Sequence, residues 1–395
     1  MKNKLFNYFV YSGLCVHLVL FLLFLWQPKL LLKVTALPVN YYYNKVADYE
    51  YSRLVDDVEQ TLEQQIGLVF KPWKPIKSLS VKNKQVAVNG IDFIDLKQAL
   101  LNLKDGDELQ FYNGIFTTPF LIDKNDITLV GFGHVVFEKS AYRGKGFIVN
   151  KGRNLTIKNI ECRYITVTDK NGACVRQEGL GLTLEHVYFH HSENGILETA
   201  KAQSNIYIKD SRFELLGKSG QAHGIYSNKA NLYIKNSLFI ASKDEGHAIK
   251  TRGSETFITH SLITSMSSND SRLLDISNGG VLNINYSFLH QGPLSVNGQA
   301  IGFGLEKLKH DVNAIKLQDN IIMLERIKQN VLLATRDENV DSIIAGNIII
   351  NKDTMHKVED NIYFENRDDA NFLKYPYFPK VLCQLITPCP LLFAD

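Results

Sequence analysis

From Asn154 onward, short apolar runs alternate residue by residue with polar ones, and the alternation returns at a nearly constant spacing. The stretches NLTIKN (from Asn154), GLTLEH (Gly181), NIYIKD (Asn205), NLYIKN (Asn231), ETFITH (Glu255) and VLNINY (Val281) superimpose on Ile157, Leu184, Ile208, Ile234, Ile258 and Ile284. The steps between them are 27, 24, 26, 24 and 26 residues. Residues one apart on a strand point to opposite faces, so each run reads as a strand with one buried side. A period in this range marks a solenoid, in which each unit buries its apolar face only against its neighbours. Two or three short strands with Asn, Asp, His or Ser at the corners fill one coil of a parallel β-helix. A leucine-rich repeat would carry fixed leucines and a helix in every unit, and neither is present. Stacked Leu, Ile and Phe would supply the core at roughly 25 cal/mol per Å² of apolar area buried. A charge at Ile208, Ile234 or Ile258 should therefore be poorly tolerated.

The pattern changes towards both ends. The stretch IDFIDLKQALLNLKDGDELQFYNGIF, from Ile91, predicts an amphipathic helix around Asp95–Leu103, followed by the first strands and then DITLVGFG. A parallel stack exposes apolar side chains and unpaired backbone groups at its end, and such a helix would cover them. This arrangement closely resembles the start of pectate-lyase-like β-helices, and the resemblance implies a right-handed coil. Further upstream, Leu5–Trp26 contains no Asp, Glu, Lys or Arg and has the roughly 20 residues that a membrane-crossing helix needs. Tyr8 and Trp26 stand near its ends, where amphipathic aromatics favour the bilayer interface. A cleaved signal peptide is the rival reading, but no small-x-small site follows closely. Lys2 and Lys4 before the segment and Lys29 and Lys33 after it nearly balance, so orientation rests on the short leader and on the resemblance.

The expected fold class is thus all-β: a right-handed parallel β-helix solenoid with an N-terminal capping helix, preceded by a single transmembrane helix. Residues 1–33 form a cytoplasmic leader and anchor in the inner membrane. Residues 34–90, with the proline-broken FKPWKPIK, form a spacer and cap-proximal segment. Residues 91–365 form the β-helix, and 366–395, with YPYFPKVLCQ, the C-terminal cap or tail. The body would lie in the periplasm or outside the cell.

Composition adds little beyond exclusions. A chain of 395 residues that is 45% hydrophobic and 22% charged is too apolar for disorder. A net charge of +3 offers no concentrated basic face for nucleic acid. Five cysteines are too few for a disulfide scaffold. Cys15 falls in the apolar segment, while Cys162 with Cys174, and Cys383 with Cys389, are pairs close enough to bridge. Buried free thiols are the equally open alternative.

The chemistry gathers on one strand of each coil, aligned through NGILET, HGIYSN, HAIKTR, RLLDIS and QAIGFG. With Ile225, Ile249, Leu274 and Ile301 pointing inward, Leu197, Tyr226, Lys250, Asp275 and Gly302 form an outward row. Asn194, His223, His247, Arg272 and Gln299 precede it by three residues, and Thr199, Asn228, Arg252, Ser277 and Gly304 follow it by two. Coils lie about 4.8 Å apart, so Tyr226, His223, His247, Lys250, Arg252, Arg272 and Asp275 would share one patch. It combines candidate acids and bases with cations suited to a carboxylate-bearing sugar. The plain alternatives are a Lys250–Asp275 ion pair of little energetic value and histidines that merely bond a backbone turn. Asn228 and Asn278 complete the candidate substrate-binding set, with His223, Arg272 and Asp275. Glu193, Glu198, Asp244, Glu245, Asp270 and Asp275 could be weighed as oxygen ligands for calcium. No spacing among them is diagnostic, so no cofactor or obligatory metal is expected.

The segments AHGIYSN, EGHAIKTRGSETFITHSLI, LLDISNGGVLNINYSFLHQGP and VNGQAIGFGLE resemble a group of bacterial right-handed β-helix proteins. That resemblance implies the fold but no reaction. EGHAIKTR is more distantly similar to the catalytic-lysine strand of alginate lyases and chondroitinase B, which implies a role for Lys250 as base. The next coil departs from that family: LLDISNGG offers Asp275 or Ser277 where the family has arginine, and Arg252 or Arg272 would have to substitute. Three functions compete. The first is a polyuronide lyase or epimerase, with Lys250 abstracting the proton beside the sugar carboxylate. Arg252 or Arg272 would then stabilise the enolate-like charge, and Tyr226 or His247 would deliver a proton. The second is a non-catalytic envelope protein that binds an anionic polysaccharide or docks on a membrane protein partner. The third, a glycoside hydrolase, needs two facing carboxylates, for which only Asp275 with Glu245 or Glu306 is available.

Overall fold

The computed structural model describes residues 11–18, 21, 60–77, 85–351 and 358–378. The chain divides into two units, Met1–Val58 and Glu59–Asp395. In the first, residues 11–18 are helical. Most of the expected anchor Leu5–Trp26 lies outside the described residues, and among the described residues no helix is long and apolar enough to cross a membrane.

The second unit is a parallel β-solenoid. One wall is a nine-stranded sheet, with one strand per coil, running from Phe120–Ile122 to Val331–Thr335. The other two walls begin together in the long strands Glu108–Phe116 and Thr128–Glu138, which pair in parallel. They then separate into two ladders, one starting at Arg153–Lys158 and the other at Glu161–Arg163. The columns expected from the repeat are real: Leu184, Ile208, Ile234, Ile258 and Ile284 are successive register partners, and all are buried. On the adjoining wall Phe189, Phe213 and Phe239 form another column, with ring centroids 5.5 and 4.8 Å apart.

The corner between the two ladders explains the polar residue that ends each repeat. Asn159, His186, Asp210, Asn236, His260, Tyr286 and Asp319 all take a left-handed φ, between 48° and 53°, a region in which Asn, Asp and His are enriched. The turn hides the next residue's backbone N–H, and a ladder of side chains satisfies it. Ser211 N donates to Ser237 Oγ (3.2 Å), Ser237 N to Ser261 Oγ (3.1 Å), Ser261 N to Ser287 Oγ (3.1 Å) and Ser287 N to Asn320 Oδ1 (3.0 Å). A buried N–H without a partner is costly, so each coil supplies the acceptor for the one before it.

The helix Leu96–Asn102 caps the N-terminal end as expected, with Asp95 Oδ1 accepting from Gln98 N at 2.8 Å. Its Leu96 and Ala99 join the core beside Val86 and Val88. The covering layer starts earlier than residue 91: Val86–Val88 pairs antiparallel with both Ile91–Phe93 and Glu108–Phe116. Residues 60–77, within the expected spacer and cap-proximal segment, lie against the solenoid. The helix Leu62–Val69 has a Thr61/Gln64 capping box and lays Ile66 and Val69, followed by Phe70, on an outer wall. There the outward side chains Leu238, Ile240, Leu262 and Phe288 form a second apolar cluster. The extended chain after it is tied down by Arg212 Nη1 to Lys71 O (2.7 Å) and by Ile76 N to Asn159 Oδ1 (2.8 Å), while Trp73 stacks on His186. Phe378, from the expected C-terminal cap, lies on the same wall, 4.8 Å from Phe288 by ring centroid. Cys162 and Cys174 form a disulfide between two walls of one coil. Cys383 and Cys389 lie outside the described residues.

Candidate functional site

The nine-stranded wall carries the ionisable residues, and its register follows from its inward side chains. Ile225, Ile249, Leu274 and Ile301 are consecutive partners and fully buried. The residues after them, Tyr226, Lys250, Asp275 and Gly302, are therefore also consecutive partners on the outer side, with Leu197 paired to Tyr226. Within this row Lys250 Nζ donates to Asp275 Oδ2 at 2.8 Å and to Glu306 Oε1 at 3.1 Å. Arg252 grips the same glutamate with two bonds, Nε to Oε2 (2.8 Å) and Nη2 to Oε1 (2.7 Å). Its remaining nitrogen, Nη1, donates to the Tyr226 hydroxyl (2.5 Å) and to Asn228 Oδ1 (3.3 Å). Six groups from four coils are thus joined into one network, with Arg252 and Lys250 as its cations and Asp275 and Glu306 as its anions. The bonds from Arg252, with Lys250 adding to them, hold the Glu306 carboxyl down at about 2.

The histidines follow a different logic. His223 and His247 stack with centroids 4.9 Å apart, and each ring accepts a backbone N–H from the next coil through Nδ1. His247 N donates to His223 Nδ1 at 3.0 Å, and Arg272 N donates to His247 Nδ1 at 3.1 Å. A nitrogen that accepts carries no proton, so in this arrangement the proton of each neutral ring resides on Nε2. Burial pushes His247 down to about 4, against the pull of Asp275, and drives His223 well below its usual value. Nε2 of His247 lies 3.4 Å from Asp275 Oδ2. The histidines are accordingly neutral rungs that secure the backbone, with one N–H of His247 facing the network. Arg272 stands apart: its guanidinium bonds Gln299 Oε1 at 3.1 Å and lies over Gly302, where a Cβ would come within 3.2 Å of its Cδ.

Beside the network opens a cleft of about 570 Å³, to which Asn228, Arg252 and Asn278 contribute together with Lys201, Lys229, Lys309 and His310. Asn278 is buried, and its Oδ1 has no hydrogen-bond partner, as is also true of Asp275 Oδ1. Loop residues 304–313 form one rim. They are anchored by Glu306 N to Ser277 O (3.1 Å), Lys309 N to Asn278 O (2.9 Å) and His310 Nε2 to Arg252 O (3.2 Å). The cleft lysines and His310 belong to connections that do not repeat from coil to coil, so no periodic signal pointed to them.

The carboxylates weighed for calcium do not converge. Glu198 Oε2 accepts from the backbone of Asn228 and Lys229, Glu193 Oε2 from Val167 and Gly172, and Asp270 from Ser265 and Ser295. Among the described residues no group of three His, Cys, Asp or Glu side chains could hold a metal ion. The sequence matches no protein-family model and is similar to no curated protein.

Proposed function

We propose that this chain binds an anionic cell-envelope polysaccharide or exopolysaccharide along the outer side of its nine-stranded wall. In this reading Leu5–Trp26 tethers it to the inner membrane, with the body on the extracytoplasmic side. The observation that carries the proposal is the cleft, where Lys201, Lys229, Arg252 and Lys309 face one open space. Four cations on one cleft match a polymer that presents acid groups at intervals. The sequence resemblance to pectate-lyase-like β-helices favours a glycan over another polyanion. A solenoid wall also offers a long track, which suits a polymer.

Lyase or epimerase chemistry is the second reading, favoured by the meeting of Lys250, Arg252 and Tyr226 in one network. Lys250 would take the proton beside the uronate carboxylate, Arg252 would neutralise the carboxylate, and Tyr226 would protonate the departing oxygen. Binding stands ahead of it because Lys250 Nζ donates to two carboxylates, and a base must offer a lone pair. His247, neutral and fixed through Nδ1, is a weak proton donor for either reaction. Calorimetric titration with carboxylated and sulfated polysaccharides, paired with ultraviolet absorbance for an unsaturated uronate, tests both. Salt-sensitive binding without new absorbance is the expected result. Absence of binding to every polymer would overturn the proposal.

A further inference from the structure

Glu306 reaches the network from a loop rather than from the wall. Its two oxygens receive three donors: Oε2 takes Arg252 Nε, while Oε1 takes Arg252 Nη2 and Lys250 Nζ, at 2.7–3.1 Å. This is the paired geometry in which an arginine fork recognises a planar carboxylate. The backbone on either side is pinned, since Glu306 N donates to Ser277 O and Arg336 Nη1 donates to Glu306 O at 3.0 Å. The side chain is 43% exposed, so it can swing out without moving the loop.

We infer that Glu306 is a built-in stand-in for the ligand: a carboxylate of the bound sugar takes its place on Arg252 and Lys250, and Glu306 swings towards solvent. The inference rests on the glycan-binding reading and deepens it by naming the contact that selects a uronate. The exchange is electroneutral. Lys250 and Arg252 carry two positive charges, Asp275 and Glu306 two negative ones, and one carboxylate simply replaces another. Asp275 remains on the other side of Lys250 and keeps further negative oxygens away, so a tetrahedral sulfate with additional oxygens fits worse than a planar carboxylate. Tyr226 and Asn228, both held by Arg252 Nη1, then flank the incoming ring. Glu306 in this role sets specificity, because only a ligand that reproduces its hydrogen bonds displaces it without loss.

The test removes the competitor. Glu306→Ala and Glu306→Gln in the full-length chain should each bind an oligouronate about tenfold more tightly than the parent, the gain expected when the competent state no longer has to be uncovered. Binding of dextran sulfate should change much less. A second readout needs no polymer: acetate, which restores a carboxylate to the space left in Glu306→Ala, should raise that variant's thermal midpoint, and methanesulfonate should not. Unchanged or weaker oligouronate binding would overturn the inference, and so would an equal gain for dextran sulfate or equal rescue by methanesulfonate. If neither the parent nor the variants bind any polyanion, the glycan-binding reading fails first and takes the inference with it. Acetate rescue alone would then show only that the site accepts a carboxylate.

Discussion

Lys250→Met separates the structural work of the network from any functional work. Lys250 is the hydrogen-bond partner of Asp275 Oδ2, and the side chains are only 14% and 6% exposed. Without the ammonium, Asp275 keeps an Oδ1 that already lacks a partner and a longer contact of 3.4 Å from Oδ2 to His247. Glu306 is more exposed and retains both bonds from Arg252, so it adds little to the cost. Breaking a buried pair by removing one partner costs about 3–5 kcal/mol. The remaining contact to His247 and the partial exposure of Lys250 put this case near the lower end, about 3 kcal/mol. The assay is urea denaturation of the parent, Lys250→Met, Asp275→Asn and the double variant, read as a thermodynamic cycle. The double variant should recover at least half of the loss, because it no longer buries an unpaired carboxylate. If Lys250→Met unfolds at the parent's urea midpoint, the carboxylate is not desolvated and the reasoning is wrong. Loss of binding or turnover in Lys250→Met can therefore be assigned to function only after this stability loss is corrected for.

Asp270 is fully buried against Ser265 and Ser295, and burial pushes its carboxyl up to about 7. A carboxyl raised above its unfolded value contributes stability that is complete below about pH 4 and is lost as pH rises through 7, up to about 4 kcal/mol in all. Asp270→Asn should lose less stability than the parent between pH 4.5 and 7.5, and parallel urea midpoints at the two pH values would contradict this. The Cys162–Cys174 bridge closes a loop with a sequence separation of 12. Replacing both cysteines with serine, or reducing the bridge, should cost about 3 kcal/mol, and an unchanged midpoint under reductant would show that the bridge adds nothing.

Much of the fold was legible because a solenoid must repeat its solution at every coil. The inward column through Ile208, Ile234 and Ile258 cannot drift without opening the core. The corner that follows must supply both a left-handed residue and an acceptor, which is why KDS, KNS and THS follow three successive strands of this column. The two lateral straps were not legible, since a segment laid once across a wall leaves no periodic trace. A trace of what they cover was nonetheless present. Leu238–Ile240 and Ile321–Leu324 are apolar at every position rather than alternating, and all of their residues are buried. A short strand apolar at every position is buried on both faces. Those runs announced a covered outer wall, although not that Ile66, Phe70 and Phe378 would cover it.

The candidate site divides along the same line. The order Tyr226, Lys250, Asp275, Gly302 follows from the inward isoleucines and leucines, so sequence alone could place it. Whether an outward ion is free or paired depends on what the connections bring, and there the repeat is silent. Glu306 and Lys309 come from the connection after Gln299–Phe303, and Lys201 and Lys229 from two others. The wall holds Arg252 and Lys250 at fixed spacing, while a loop residue 54 positions beyond Arg252 determines whether their charges are offered or occupied. A rigid wall with a variable rim is how a repetitive scaffold acquires a particular ligand. Selectivity in this protein should accordingly respond more to changes in residues 304–313 than to equally exposed changes on the wall.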